Sequence, residues 1–451
     1  MIARRLLTSA VSPSEGRPAA TPKNAVSQPA NRPHWKRDIV LDHYALNGPL
    51  FPSDGELIYP YSRARSIYAL TVATGSPRWS ARPVARVHDI QLTKSSVLAV
   101  GPAEASREFM HQYDIVSLEK KSGKEVWRYK TGRVTSVLTT EDESLVIAAC
   151  DSGDVYGLGT GSGKMAWHAP APTSNASFDI RLIHLKLLDK LAVTIYREDD
   201  TDVVRIIDLR AGKLRGRREL RSYFRPRGVA IPPSDSSRPS GANARWLAIG
   251  SGLFYVVIHP SNQNGLNSNR PMELLAIEPN GTIRWVLRTY EISDAPGLHN
   301  GVLYVEHLPE IGSAREIIAL DAQSGATRWS FQPKGPKSTE ATAHAAALLV
   351  AENVLLRDST DDLQALDLAT GKALWSASTS GATTNDMVIA AGLIHRTTWA
   401  NGKSGGVMRH RIADGIEIAA LKPDLEVRSV TLARGLLMLQ TDQALCAVEP
   451  G

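Results

Sequence analysis

The segment ALDLATGKALW, Ala365 to Trp375, is nearly repeated as ALDAQSGATRW, Ala319 to Trp329, 46 residues earlier. Each copy has a short apolar run, a turn ending in Gly, and a Trp four residues after that Gly. The frame returns with its Trp at Trp79, Trp127, Trp167 and Trp285, and without it at Ile206 to Gly216 and His410 to Ala419. Its glycines are Gly75, Gly123, Gly163, Gly212, Gly281, Gly325, Gly371 and Gly415, spaced by 48, 40, 49, 69, 44, 46 and 44 residues. Six of the nine tryptophans fall on this frame, so the repeat decides the architecture before any local reading does.

Within a unit the residues before the turn favour strand, as in EIIALD and DVYGL. The Thr-Gly or Ser-Gly pair supplies a position that tolerates positive φ. Each frame is therefore a β-hairpin, and another pair of apolar runs, such as GVLYVEH or GLLMLQT, lies upstream of most of them. Four short strands per unit is a propeller blade. The expected fold is all-β: a single closed β-propeller of four-stranded antiparallel blades over residues 33–451. The chain ends QALCAVEPG, half a frame with no Trp-bearing strand after it. Trp35 is the only Trp before the first frame, so residues 33–39 are expected beside 443–449, closing the ring between the termini. Counting frames gives nine blades. Eight is favoured because propellers typically have four to eight, with the Gly212 frame as the incomplete one.

The frame resembles the pyrroloquinoline-quinone-type propeller repeat, in which a Gly–Trp hairpin closes each blade. The resemblance covers nearly all of residues 60–451. It implies that Trp79, Trp127, Trp167, Trp285, Trp329, Trp375 and, at the seam, Trp35 dock against neighbouring blades. An indole suits that role, since it buries a large area and fixes its N–H on one partner. Quinoprotein alcohol dehydrogenases share the repeat. So do the non-catalytic propellers of the outer-membrane β-barrel assembly machinery, which this chain resembles more closely. Adjacent cysteines, an acid pair and a calcium mark the quinone enzymes, and this chain has no Cys-Cys.

The basic character belongs to one end. Residues 1–37 hold seven Lys or Arg and one acid, whereas residues 38–451 hold 45 of each sign. A neutral propeller lacks the basic stripe that tracks phosphates, so no nucleic-acid partner is expected. Residues 1–32, rich in Ala, Pro, Ser and Arg, read as a disordered tail. They lack the apolar core of a secretory signal, which points to the cytoplasm; the resemblance points instead to the periplasm or cell envelope. No apolar run is long enough to span a membrane. Cys150 and Cys446 sit in strand-like runs and read as buried free thiols.

Catalytic patterns are absent. GLGTGSGKM, Gly157 to Met165, imitates a phosphate loop but has Leu158 in place of the first Gly and Met165 in place of Ser or Thr. His299 and His307 are eight apart, which is not a ligand spacing. Glu198, Asp199, Asp200 and Asp202 crowd one hairpin, read as a solvated tip rather than a calcium site. No catalytic or metal-binding residue is assigned, and no cofactor is expected. The alternative is a quinone-dependent or other small-ligand enzyme, with pyrroloquinoline quinone and calcium in the central channel.

The expected function is binding: a monomeric, non-catalytic scaffold that holds a protein partner through its face loops. The interval between Gly212 and Gly281 is the longest, and its excess lies in residues 221–245 and 259–270. These stretches carry Phe224, Arg225, Arg227, Asn262 and Asn264 as interface candidates; aromatics and Arg are enriched at such surfaces. Trp399, off the docking frame and next to Asn401 and Gly402, is a sixth candidate, in an exposed loop.

Overall fold

The computed structural model describes residues 34–38, 51–53, 56–61, 66–103, 112–171, 181–198, 201–220, 242–260, 272–292, 296–310, 313–333, 347–359, 362–379, 382–400, 403–421, 427–441 and 444–450. Among these residues there is no helix. Among these residues the strands form nine antiparallel sheets, eight of them meanders in chain order. Eight occupy 51–81, 89–131, 134–169, 181–219, 242–289, 291–331, 347–378 and 382–421. The ninth joins 427–448 to Trp35–Asp38. In the sixth, the first strand comes in two pieces, Glu291–Ile292 and Gly297–His299.

Nine is the number the frames give, not the eight favoured from typical propellers. The Gly212 frame is not incomplete but closes a full sheet at 181–219. It has lost its Trp, yet Val193, Ile195, Val204 and Ile206 remain fully buried and hold the sheet in place. These apolar runs are continuous because a strand between two neighbouring sheets buries both of its faces. In Val354–Asp358, Leu355 packs towards the sixth sheet and Leu356 towards the eighth. The period of two thus sends alternate side chains to opposite neighbours.

Ladder hydrogen bonds stay within each sheet, so side-chain packing makes the ring. One apolar cluster lies between each pair of neighbours, from Ile67 with Val97 to Val407 with Leu439. A further cluster joins Leu70 and Val72 of the first sheet to Met438 and Leu445 of the ninth. The first strands of neighbouring sheets lie beside one another, which places them nearest the axis. The protein is a nine-bladed β-propeller.

The tryptophans lock blade to blade. Trp35, Trp79, Trp127, Trp167, Trp285, Trp329 and Trp375 each stand on an outer strand and lie over the hairpin glycine of the next blade. A Cβ added at Gly75, Gly123, Gly163, Gly212, Gly325, Gly371 or Gly415 would come within 2.3–2.8 Å of an indole, and each of these glycines has positive φ. The indole N–H groups donate to backbone carbonyls three residues before those glycines: Trp79 to Lys120 at 2.8 Å, Trp127 to Thr160 at 2.7 Å, Trp167 to Leu209 at 2.6 Å. Trp285 reaches Ala322 at 3.0 Å, Trp329 reaches Leu368 at 3.1 Å and Trp375 reaches Ile412 at 2.9 Å. The same acceptor residues use their own N–H to hold the first turn of their blade, as Ile412 does with Gly392 at 3.0 Å and Leu209 with Lys190 at 2.8 Å.

The seam follows the same rule. Trp35–Asp38 pairs antiparallel with Ala444–Val448, Trp35 opposite Ala447 and Asp38 opposite Ala444. Trp35 then lies over Gly75 and donates to the carbonyl of Val72 at 2.6 Å, carrying the lock from the ninth blade to the first. Two junctions have no Trp. Between the fourth and fifth blades Gly216 takes its place, and the backbone of Asn280 approaches so closely that a Cβ on Gly216 would lie 3.2 Å from its oxygen. Between the eighth and ninth, Ala419 stands at the Trp position of the frame.

Candidate binding face

The two faces of the disc differ. One carries the glycine hairpins and the short turns between first and second strands. In those turns Ser251 with Gly252, Asn300 with Gly301, Ala391 with Gly392 and Arg434 with Gly435 take paired positive φ values. Such primed turns match the twist of the strands they join and leave little chain to spare. The opposite face receives the connections from second to third strand and from fourth strand to the next blade. The connections 221–241 and 261–271 both leave from there.

Phe224, Arg225, Arg227, Asn262 and Asn264 lie outside the described residues. Residues 242–245 and 259–260, expected in loops, belong instead to the strands Ala242–Gly250 and Leu253–Pro260. Trp399 is likewise not in a loop. Its backbone is paired in Leu393–Ala400, opposite Ala382 on one side and Ser404 on the other. The strand there runs one residue beyond Trp399, to Ala400.

The acidic hairpin at 198–202 also differs from the expected solvated tip. Asp202 is fully buried, bonded to Arg197 at 2.8 Å and to the N–H of Ala244 in the next blade. Strand alternation turns it inward, where it caps the entry to the fifth blade. Burial pushes its carboxyl above the usual range, opposed by Arg197. Among the described residues, no three His, Cys, Asp or Glu side chains are grouped to hold a metal ion. Cys150 and Cys446 are buried and free, and burial pushes the Cys150 thiol up to about 12.

Two polar constructions that the repeat frame does not announce underlie the second face. The first spans the sixth, seventh and eighth blades. Arg357 donates to Glu306 at 3.0 Å and to Asp362 at 2.8 Å; one residue along, Asp358 accepts from Arg396 at 2.6 Å. Glu306 is fully buried, and Asp358 and Arg396 are each 1% exposed. The register is regular: an acid at the fifth position of one second strand meets an Arg at the fourth position of the next. Burial pushes Asp358 up to about 6 against the pull of Arg396. Replacing Arg396 by Met should cost about 3 kcal/mol, the low end for a broken buried pair, because Asp358 can take up a proton. Adding Asp358→Leu should recover most of it. Denaturant midpoints of the single and double variants measure this, and a double variant as unstable as the single would show that the pair is not coupled.

The second construction lies where the inner strands of the second and third blades begin. Arg86 and His88 precede Asp89–Leu92, and Arg133 precedes Val134–Thr139. His88 Nδ1 is 3.0 Å from the hydroxyl of Tyr113, which is 1% exposed, and the two rings meet edge to face at 5.3 Å. Burial pushes the Tyr113 hydroxyl above its usual pKa, opposed by the nearby Arg133. Burial, then Arg86 and Arg133, hold the His88 imidazole below its usual pKa.

The family profile of outer membrane protein assembly factor BamB matches residues 24–182, 106–231 and 200–450. The chain belongs to the BamB family. No curated protein matches it in sequence. Similar solved structures include BamB from Moraxella catarrhalis, 14% identical over 92% of this chain and 96% of that one, with a TM-score of 0.47. Sqt1 of Saccharomyces cerevisiae is 10% identical over 93% of this chain and 100% of its own, also at 0.47. The dihydro-heme d1 dehydrogenase NirN is 13% identical over 75% of this chain and 72% of its own, at 0.46.

Proposed function

We propose that this protein is a non-catalytic scaffold that holds a protein partner on the face from which the long connections leave. The observation that carries this reading is the asymmetry of the disc. One face is tied down by short turns whose backbone bonds also anchor the blade locks. The other sends out every long connection, and on that side buried, cross-linked charge ties the sixth, seventh and eighth blades together. Rigid support under variable loops is how propellers and other scaffolds present binding residues. The family name, outer membrane protein assembly factor, supports a partner concerned with that assembly.

Replacing 221–241 and 261–271 by short Gly-Ser turns should leave the melting temperature nearly unchanged and reduce partner co-purification several-fold. Equal recovery of the same proteins by both forms would sink the reading; failure of the variant to fold would show that these segments belong to the blades. Pyrroloquinoline quinone with calcium should leave the melting temperature where it was. A ligand at one hundred times its Kd would add roughly 2.7 kcal/mol of stability, which a melt detects easily.

A further inference from the structure

We infer that Arg86, His88 and Arg133 form a binding site for an oxyanion, and that its occupant is a carboxylate of an acidic segment of the partner. This deepens the scaffold reading and rests on it for the source of the carboxylate. The trio stands on the partner-facing side, at the axial ends of adjacent inner strands. Arg86, His88 and Arg133 are exposed, so a ligand can reach them.

The site is built rather than incidental. Between Ala85, whose N–H bonds Pro102, and His88, whose N–H bonds Val100, the chain bulges away from the ladder. The carbonyl of Arg86 then sits over Gly101, where a Cβ would lie only 1.9 Å from it. Any other residue at 101 would displace the bulge that aims Arg86. Bulges commonly re-aim a side chain in this way. On the other side, the buried Tyr113 hydroxyl holds His88, and Arg133 lies close enough to act electrostatically on both.

The charges at this point are poorly balanced. Among the described residues Arg86 makes no ion pair, and Arg133 pairs only with the half-buried Asp151, at a loose 3.7 Å. Two guanidiniums therefore bear on one imidazole with one distant acid to offset them. An oxyanion between them would accept paired N–H donors from the guanidinium forks and a further bond from His88 Nε2. A carboxylate suits a fork–fork geometry. Phosphate shares the chemistry and could come from solution, so the test separates the two.

The experiment uses the full chain and follows the His88 ring resonances by NMR at low ionic strength. A short peptide with two glutamates should shift them saturably, with Kd in the range of about 1 mM for a few charged contacts. The glutamine counterpart should not, and added salt should weaken the effect. The Arg86→Gln, Arg133→Gln double variant should weaken peptide binding at least tenfold without a change in melting temperature, since both side chains are solvent-exposed. Inorganic phosphate shifting the ring while the peptide does not would overturn the carboxylate assignment. Equal binding of glutamate and glutamine peptides would overturn the site. If the double variant keeps its partner while the loop-replaced protein loses it, the site falls and the scaffold stands. If the peptide binds but partner recovery is indifferent to both changes, the scaffold falls and the site stands.

Discussion

Truncating Trp329 to Ala is expected to cost about 3–5 kcal/mol, the usual loss for a large buried aromatic. The indole is 9% exposed, packs against Tyr304 at 5.8 Å between centroids, covers Gly371 and donates to Leu368. Trp375→Ala should behave alike, because Trp375 repeats the arrangement over Gly415. Trp329→Phe keeps most of the area and removes only the N–H bond, so it should cost nearer 1 kcal/mol. Gly371→Ala attacks the lock from the other side, with both a clash and an unfavourable φ of 71°. Chemical denaturation of each variant decides it. A Trp329→Ala protein with a wild-type midpoint would mean that the indole contributes no net packing.

Removing residues 1–40 should be worse than losing any single tryptophan. It deletes Trp35–Asp38, so Ala444–Val448 loses its partner strand and becomes an open edge. It also uncovers Gly75 and frees the carbonyl of Val72. Removing residues 1–28 touches none of these contacts and should leave calorimetric stability as it was. The seam has no role in holding the ring if the two truncations melt together. Soluble aggregates in the longer truncation would be the expected by-product of an exposed strand edge.

The repeat was legible because each copy carries its own chemistry: a glycine that needs positive φ, and an indole too large to leave in water. Even Trp35, outside every frame, could be placed by the half-frame at the other end of the chain. The buried charges were not legible in that way. Glu306 with Arg357, and Asp358 with Arg396, lie 51 and 38 residues apart. They become visible only once the second strands are set side by side and alternate residues are assigned to the preceding or following blade. Asp202 misled for a related reason. Four acids in five residues suggest solvent, yet strand alternation turns this one of them into the interior. Trp399 misled because Asn401 and Gly402 signal a turn without saying how far the strand runs before it. The cationic trio draws on residues from two blades and a tyrosine from a third strand, so no local spacing could reveal it.

The two junctions without an indole divide the disc unequally. Trp285, Trp329 and Trp375 link the fifth to eighth blades into one run of four. Trp35, Trp79, Trp127 and Trp167 link the ninth blade through the first to the fourth, a run of five. The wheel is thus two riveted arcs meeting along two plainer joints. Strain on such a body concentrates at the joints, so sub-global opening should separate arcs before it dissolves blades. The connection 221–241 crosses one of the joints, and a partner gripping it would span the line along which the wheel parts.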